Sequence, residues 1–288
     1  MRTPSGSTGG SEFAEQGATI LTYRSYRHRA SLWAGAIAVL LALPAAAQDE
    51  QQAPRRTRVA VGPQVYPSYP GSDEYDFGPF INIDRARGDE PFEFEAPDES
   101  FGFALIDAGG FSLGPVANYE GDRTAADVGA NVPKVKFSIE AGAFASLYVT
   151  DNFRLRAELR KGITGHKGWI GTGGADFVAR DGDKWLFSIG PRVTWSDNRY
   201  QDAWFGVTPA TAAVSGVPAY DPGSGIQAYG AAASFLTQFS PRWGIQTYAK
   251  YDRLTGDAAD SPLVQGFGSR DQFSGGIALS YTFGRGVE

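Results

Sequence analysis

The segment FSGGIALSYTF, residues 273–283, is the stretch that most clearly indicates the fold of this chain. Its large apolar side chains fall at every second position, and small, mostly polar residues stand between them. Side chains alternate between the two faces of a β-strand, so this segment has one apolar face and one face of small, mostly polar side chains. The apolar row comprises Phe273, Ile277, Leu279, Tyr281 and Phe283. Aromatic residues at the end of such a strand near the C-terminus are typical of the closing, assembly-signal strand of an outer-membrane β-barrel.

The N-terminal part of the chain predicts export across a membrane. Three arginines, Arg24, Arg27 and Arg29, precede an apolar run at 32–43, which is followed by small residues that end at Ala47. The apolar run is shorter than the roughly 20 residues that a membrane anchor needs. We therefore predict a leader with a signal peptide over 1–47, a flexible periplasmic segment over 48–56, a barrel over 57–283 and a short tail over 284–288.

The composition excludes several classes of protein. The formal net charge is −6 and there is no cysteine. Nucleic-acid binding needs clustered Lys and Arg, so an acidic chain of this kind is not expected to bind nucleic acid. No segment after the leader has 18 uninterrupted apolar residues. If the mature protein enters a membrane, it must therefore do so as a closed barrel, which satisfies its backbone without helices.

The alternation recurs in short segments and predicts an all-β, transmembrane antiparallel barrel of about twelve strands. The predicted strands are 57–66, 75–83, 91–96, 100–107, 110–119, 134–149, 152–162, 168–180, 184–196, 225–237, 241–252 and 271–283. With twelve strands, the short turns fall on the periplasmic side and the long loops fall outside, as in known barrels. The alternative of ten strands, with 91–107 as one strand, reverses this placement.

The face opposite the lipid rows carries charges. The seventh predicted strand alternates apolar residues with Arg154, Arg156, Glu158 and Arg160. The predicted lumen-facing charges are Glu140, Arg154, Arg156, Glu158, Arg160 and Arg192. Charges inside a barrel need partners or water, because burying them alone costs several kcal/mol. We interpret the row as a structural ladder that braces the lumen, with a polar channel lining as the alternative.

Residues that could carry chemistry are few. His166, the single histidine after the leader, lies in the glycine-rich turn GITGHKGW, and we interpret it as a surface residue. A hydrolase triad would need a nucleophile and an acid beside it. Acidic loops around 73–76 and 257–260 lack the spacing of a calcium loop. No catalytic residue, metal site or cofactor is predicted.

The last long loop differs from a plain solvated loop. Its motif comprises Asp252, Arg253, Leu254, Gly256, Asp257, Asp260, Ser261 and Pro262. Asp, Ser and Gly build tight turns, and the apolar residues that follow have something to bury. We expect this loop to fold back into the barrel mouth, with Asp257 and Asp260 meeting inward-facing arginines.

Four motifs, in this order along the chain, resemble the MipA/OmpV family. They are YPSYPGSDEY at 66–75, GFSLGP at 110–115, SGVPAYDPGSG at 215–225 and YDRLTGDAADSPLV at 251–264. The resemblance spans about 57–283 and implies an outer-membrane barrel in a Gram-negative cell envelope. The best-known member is named as a partner of a murein-degrading lytic transglycosylase and also engages a murein synthase. The family has no established catalytic residues to carry over.

Three functions follow as hypotheses. The first is a non-enzymatic scaffold for peptidoglycan-remodelling enzymes, with a murein transglycosylase and a murein synthase as partners. The second is a narrow channel or solute-binding, porin-like barrel, which the charged lumen favours. The third is a hydrolase, which a lone histidine does not favour. Outer-membrane lipid, lipopolysaccharide and the barrel assembly machinery are further expected partners of any such barrel.

Overall fold

The structure is a computed structural model that describes residues 54–284, and most of that range forms one antiparallel β-sheet. The predicted leader over 1–47 lies outside the described residues, as do most of the segment over 48–56 and most of the tail. The strands are β1 Arg55–Pro67, β2 Tyr75–Arg87, β3 Phe101–Gly102, β4 Ile106–Ala108, β5 Phe111–Glu120, β6 Ser138–Thr150, β7 Phe153–Gly162, β8 Trp169–Asp181, β9 Trp185–Ser196, β10 Gly225–Gln238, β11 Trp243–Leu254 and β12 Asp271–Phe283.

Most strands pair with their neighbours in sequence, and the last strand pairs with the first. Strands β5 to β12 pair with their sequence neighbours, and β12 pairs with β1, with Thr57 opposite Phe283. Pairing of the first strand with the last is what curls a meander into a barrel. Within residues 54–284, no ladder joins β2 to β3, β4 or β5, so the curled sheet is a half-barrel with a seam at this position.

The outer face of the sheet is apolar and exposed. In β9 the side chains of Trp185, Phe187 and Ile189 are exposed, while the intervening Leu186 and Ser188 are buried. A water-soluble sheet would bury its apolar row, whereas a transmembrane barrel turns that row toward lipid. The predicted all-β, antiparallel transmembrane barrel of about twelve strands is therefore confirmed.

Two of the predicted strands differ from the structure. The segment over 91–96 is no strand, and 100–107 contains only the short β3 and β4, which both pair with β5. The two residues of β3 and three of β4 contrast with at least ten in every other strand. The 91–96 prediction was wrong because an extended segment with one buried face has the same alternation whether or not it pairs with a strand.

The two ends of the sheet differ in their connections. One end, here called the turn end, holds the short connections at 109–110, 151–152, 182–184 and 239–242, together with the first residue of β1 and the last of β12. The opposite end, the loop end, holds long loops and five short helices. These are α1 Ala125–Val128, α2 Asn198–Phe205, α3 Pro209–Ser215, α4 Gly256–Asp260 and α5 Pro262–Phe267.

Local capping explains where these helices begin. Thr124 and Asp127 form a capping box at α1, and the Asp197 carboxylate accepts from the Tyr200 amide at α2. Helices α3 and α5 each follow a hydroxyl cap with a proline in the first turn, which is pre-organised for a helix start. None of the helices among the described residues has the length and apolar character needed to cross a membrane.

Candidate functional site: the charged lumen and its closures

A segment that we call the luminal strap, residues 89–100, enters the interior of the curled sheet after β2. Burial alternates along its residues 91–96, where Phe92, Phe94 and Ala96 are buried, and a turn follows at 97–99. Phe94 and Ala96 pack against inward-facing apolar residues of β8, β9 and β10, namely Val178, Leu186 and Leu236. The strap therefore covers the inner wall of the barrel with one apolar row, as a strand would cover a core.

Arginine side chains of the barrel wall hydrogen-bond to the backbone of the strap, as a paired strand would do in a sheet. The Arg154 Nη1 donates to the Phe94 carbonyl at 2.8 Å, and the Arg180 Nη1 donates to the Phe92 carbonyl at 2.8 Å. The Phe92 amide donates to the Asp183 carboxylate at 2.9 Å. These contacts satisfy strap backbone groups that would otherwise be buried without partners. The guanidinium of Arg154 also lies 4.4 Å from the centre of the Phe94 ring.

Ion pairs fix the C-terminal half of the strap. Asp98 accepts two hydrogen bonds from Arg192, at 2.8 and 3.1 Å, and lies 3.6 Å from the Lys250 ammonium. Glu99 pairs with Arg154, and the Ser100 hydroxyl accepts from Arg160 at 2.8 Å. Bidentate pairing of a guanidinium with a carboxylate is both strong and directional. The strap is therefore held to β7, β9 and β11 at once.

The inward row of β7 forms a continuous set of ion pairs along the wall. Glu158 accepts from Arg156 at 2.8 Å and from Arg160 at 2.6 Å, and Arg160 also donates to Glu140 at 2.9 Å. Arg154 and Arg192 share Asp176, at 3.1 and 2.8 Å. The side chains of this set are 10% exposed or less. Removing one partner of a buried pair costs about 3–5 kcal/mol, because the other charge is left without compensation.

Sequence reasoning located the arginines but missed most of their carboxylate partners. Asp98 and Glu99 lie in the strap, and Asp176 lies on β8, so each partner is distant from its arginine along the chain. A signal was present in Pro91 and Pro97, which lie within the strap on either side of its buried apolar row and cannot donate to a β-ladder.

Two carboxyl groups of the strap are shifted toward neutrality. Glu95 retains exposed surface, but the surrounding protein atoms desolvate its carboxyl group and, with the nearby carboxylates of Asp84 and Glu99, raise its pKa to about 7. Burial also raises the pKa of Glu99 to about 7, with the guanidinium groups of Arg154 and Arg156 acting in the opposite direction. The charge of the strap therefore depends on pH near neutrality.

His166 is buried, so its interpretation as a surface residue was wrong. Its Nε2 donates to Glu140 at 2.9 Å, and its Nδ1 accepts from the Gly168 amide at 3.0 Å. The ring lies edge-on to Tyr200, with 4.7 Å between centroids. The turn folds under the loops because Gly165 has a φ of +60° and a Cβ there would lie 2.0 Å from the Ser138 hydroxyl. With both ring nitrogens engaged, His166 has no free nitrogen to act as a general base.

The long loops close the loop end with a shared hydrophobic cluster, here called the loop-end cap. Four loops contribute buried side chains to it. They include Tyr69, Val128, Val132, Val135, Tyr200, Trp204, Phe205, Val207, Val217, Ala258, Ala259, Leu263 and Val264. Arg123 is buried among them and donates to the carbonyls of Trp204 and Ala203, while burial lowers the pKa of Arg123 to about 10. The cap is thus a packed unit and not a set of solvated loops.

The outer-loop motif lies in this cap, but its acids do not reach the lumen. Asp257 accepts from the Gly223 amide at 2.6 Å, and Asp260 pairs with Arg270 at 3.2 Å. The expectation that both would meet inward arginines was wrong, because those arginines are already paired with the strap and the wall. The Ser261 hydroxyl donates to the Phe205 carbonyl at 2.7 Å, which ties α5 to α2.

The other motif residues take structural places around the cap. Leu254 is buried in the cluster, Gly256 has a φ of +54° at the start of α4, and Pro262 opens α5. Asp252 pairs with Lys250 at 3.0 Å, and Arg253 pairs with Asp271 at 2.6 Å.

Residues of β12 lie on its outer row. Phe273, Ile277, Leu279 and Phe283 are exposed. Tyr281 contacts Trp243 and Phe283 edge-on, with 4.7 Å between centroids in each pair. These aromatics form a cluster at the turn end of β11 and β12, where an interfacial girdle is expected.

Two small pockets lie between the strap and the wall. The space that water centres can occupy is about 30 Å³ beside Asp98, Arg156 and Lys250, and about 30 Å³ beside Glu93, Glu95 and Phe103. Each holds a few water molecules at most, because one water needs roughly 10–15 Å³ on this measure. The strap thus lies along the inner wall, and the loop-end cap lies across the loop end.

The family model described as MltA-interacting protein MipA matches residues 59–283. The chain belongs to the MipA family. That match spans the curled sheet, the strap and the loop-end cap together, so all of these are parts of the family domain.

Solved structures of outer-membrane proteins are similar to this MipA-family chain at low identity. An outer membrane channel from Pseudomonas putida F1 is 10% identical, covers 84% of this chain and 97% of its own, and has a TM-score of 0.40. The translocator domain of the autotransporter NalP from Neisseria meningitidis is 13% identical, with coverages of 80% and 88% and a TM-score of 0.36. No curated protein sequence matches the chain.

Proposed function

We propose that this outer-membrane barrel is a closed, non-enzymatic scaffold for peptidoglycan-remodelling enzymes, with a murein transglycosylase as its first partner and a murein synthase as its second. One observation carries the proposal: the lumen contains a strap and a buried ion-pair set, which occupy the place of a channel lining. The family description, MltA-interacting protein, supports the transglycosylase as partner.

The absence of an enzymatic role is supported by the state of His166. It is the one histidine within residues 54–284, and its ring nitrogens are both engaged by Glu140 and the Gly168 amide. The ion pairs around it join Arg to carboxylate and leave no Ser, His and acid in the arrangement that nucleophilic catalysis needs.

The partner surface is proposed at the turn end, which we place in the periplasm because short turns face that side in bacterial barrels. These turns offer little area, and a stable interface usually buries about 1,600 Å². The scaffold therefore uses the barrel rim together with the segment over 48–56 and the tail over 284–288. Export by the predicted signal peptide is part of the same proposal.

A co-purification experiment tests the scaffold. The full-length barrel, purified from outer membranes, should retain a murein transglycosylase of its own cell, and a variant without residues 48–53 should retain less. A matched variant with altered loop-end residues, Lys134→Gln and Lys136→Gln, should retain as much as the wild type. Equal loss in both variants, or no retention at all, refutes the scaffold.

A narrow channel is the second candidate, favoured by the way in which the strap is held. Within residues 54–284, side chains of the wall and no β-ladder hold residues 91–97, so release of this segment would leave a charged passage. Recordings in planar bilayers separate the two functions. The scaffold predicts baseline conductance for the intact protein, and stable ion-selective conductance would favour the channel.

In the outer membrane, we propose that the barrel contacts lipid, lipopolysaccharide and the barrel assembly machinery. Lipid and lipopolysaccharide would contact the exposed apolar rows, and the barrel assembly machinery would engage β12. The folded protein should fractionate with the outer membrane and migrate differently on gels before and after boiling. Recovery of the folded protein in the soluble periplasmic fraction would contradict this placement.

A further inference from the structure

Three arginines lie together on the outward face of the sheet at its turn end. Arg85 and Arg87 end β2, and Arg55 begins β1, directly opposite Arg87 in the ladder. All three side chains are exposed, and none forms an ion pair or side-chain hydrogen bond with any residue in 54–284. Like charges directly opposite each other in a ladder are destabilising unless something compensates them.

These arginines continue the row that faces lipid. The outward positions of β2 run Phe77, Pro79, Ile81 and Ile83 before they reach Arg85 and Arg87. Two residues along a strand advance by about 6.6 Å, so Arg85 lies just beyond the last aliphatic side chain of the row. This is the depth at which a hydrocarbon layer gives way to phosphate groups, and long basic side chains reach such groups readily.

Aromatic residues flank the arginines on the adjoining strands. Thr57 of β1 lies between Arg85 on β2 and Phe283 on β12, and Phe283 is 53% exposed. Next to it stand Tyr281 and Trp243, and the Tyr281 hydroxyl accepts from Arg242 at 3.4 Å. Four adjacent strands spaced about 4.8 Å apart make this band roughly 14 Å wide. Aromatic rings at an interface belong where a headgroup meets acyl chains.

We propose that this band is a binding site for an anionic phospholipid, with Arg55, Arg85 and Arg87 holding the headgroup phosphate and Phe283 contacting the acyl chains. Guanidinium groups bind phosphate oxygens bidentately, and the phosphate supplies the negative charge that the two facing arginines lack. A lipid is favoured over a soluble partner because the arginines share one strand face with the lipid-exposed row. Their charge also matches anionic lipid.

The test counts lipids on the folded, full-length protein by native mass spectrometry in detergent. Phosphatidylglycerol is titrated against phosphatidylcholine, for the wild type and for Arg55→Gln/Arg85→Gln/Arg87→Gln. The matched control, Lys134→Gln/Lys136→Gln/Arg199→Gln, changes the net charge equally at the loop end. Heat modifiability on gels shows that each variant is folded. If the triple variant does not assemble, Arg87→Gln alone and a triple lysine variant replace it.

The wild type should bind phosphatidylglycerol at least about tenfold more tightly than phosphatidylcholine, since each basic group near anionic lipid contributes about fivefold. The triple glutamine variant should lose that preference, while the control and the lysine variant keep it. Excess inorganic phosphate should not displace the lipid, because it lacks acyl chains. Equal phosphatidylglycerol binding by the wild type and the triple variant overturns the proposal. Displacement of the bound phosphatidylglycerol by inorganic phosphate also overturns it. A triple variant that keeps its phosphatidylglycerol and loses only a co-purifying protein overturns it as well.

Discussion

Replacing Asp98 with asparagine should loosen the luminal strap while the barrel stays folded. The Asp98 carboxylate accepts two hydrogen bonds from Arg192 and lies 3.6 Å from Lys250. Asparagine keeps one acceptor oxygen but removes the charge, and Arg192 retains Asp176 at 2.8 Å. We therefore expect a loss at the lower end of the range for breaking a buried pair, about 3 kcal/mol.

That loss predicts a specific change in hydrogen exchange. Local opening of the strap should become about 100-fold more frequent, because every 1.4 kcal/mol is a factor of ten. Exchange measured by mass spectrometry on peptides within 92–100 should accelerate by this amount. Peptides of β9, which carries Arg192, should change little, because the β-ladders are untouched.

A matched control replaces another paired aspartate with asparagine. Asp260 pairs with Arg270 at 3.2 Å, but its side chain is 65% exposed, so Asp260→Asn should cost less than about 1 kcal/mol. Unchanged exchange of the strap in Asp98→Asn would refute the reasoning, since it would mean that Arg192 does not hold the strap. Equal acceleration in the strands would refute it as well, because the loss would then be global.

Three further predictions concern closure, pH and assembly. Deleting Gly256–Gly268 should leave bilayer conductance at baseline, because the strap would still occupy the lumen. Only the deletion combined with Asp98→Asn should open a pore, because it removes part of the cap and loosens the strap. A pore from the deletion alone would contradict this. The pKa of Glu95 is raised from 4.5 to about 7 in the docked strap. Between about pH 4.5 and pH 7, docking of the strap is therefore coupled to protonation of Glu95. Protection of the strap from exchange, corrected for the intrinsic pH effect, should thus fall as pH rises from about 4.5 to about 7, and Glu95→Gln should weaken that dependence; an unchanged slope would exclude Glu95 as its source. Tyr281→Ala should lower the yield of heat-modifiable barrel more than Phe273→Ala, because Tyr281 contacts two aromatic neighbours and Phe273 contacts one; equal yields would contradict this.

The strap shows where reasoning from local pattern stops. The alternation of Phe92, Phe94 and Ala96 with glutamates correctly indicates an extended segment with one buried face. Val178, Leu186 and Leu236 of the wall cover that face. The backbone carbonyls of the segment accept from Arg154 and Arg180, which lie 60 and 88 residues away from their strap partners. No period within the segment distinguishes an arginine-lined wall from a neighbouring strand.

His166 shows the same limit for a single residue. A histidine beside Lys167 in a glycine-rich turn has the local composition of a surface loop. Its burial follows from Glu140, 26 residues earlier, and from Tyr200, which the long β9–β10 loop brings over the turn. The cap likewise depends on four loops meeting, and only the curl of the sheet brings them together.

The sequence by itself determines which side of β6, β7, β9, β11 and β12 faces lipid, because side chains alternate with a period of two and a slip of one residue would reverse every face. It leaves β10 ambiguous, because Ala and Gly occupy both of its rows. It also determines which connections are short and which are long, and so which end of the barrel carries the cap. The tertiary structure alone decides what occupies the lumen. The strap and the loop-end cap are held by ion pairs and packing between residues far apart in the chain, and these contacts form only once the sheet has curled.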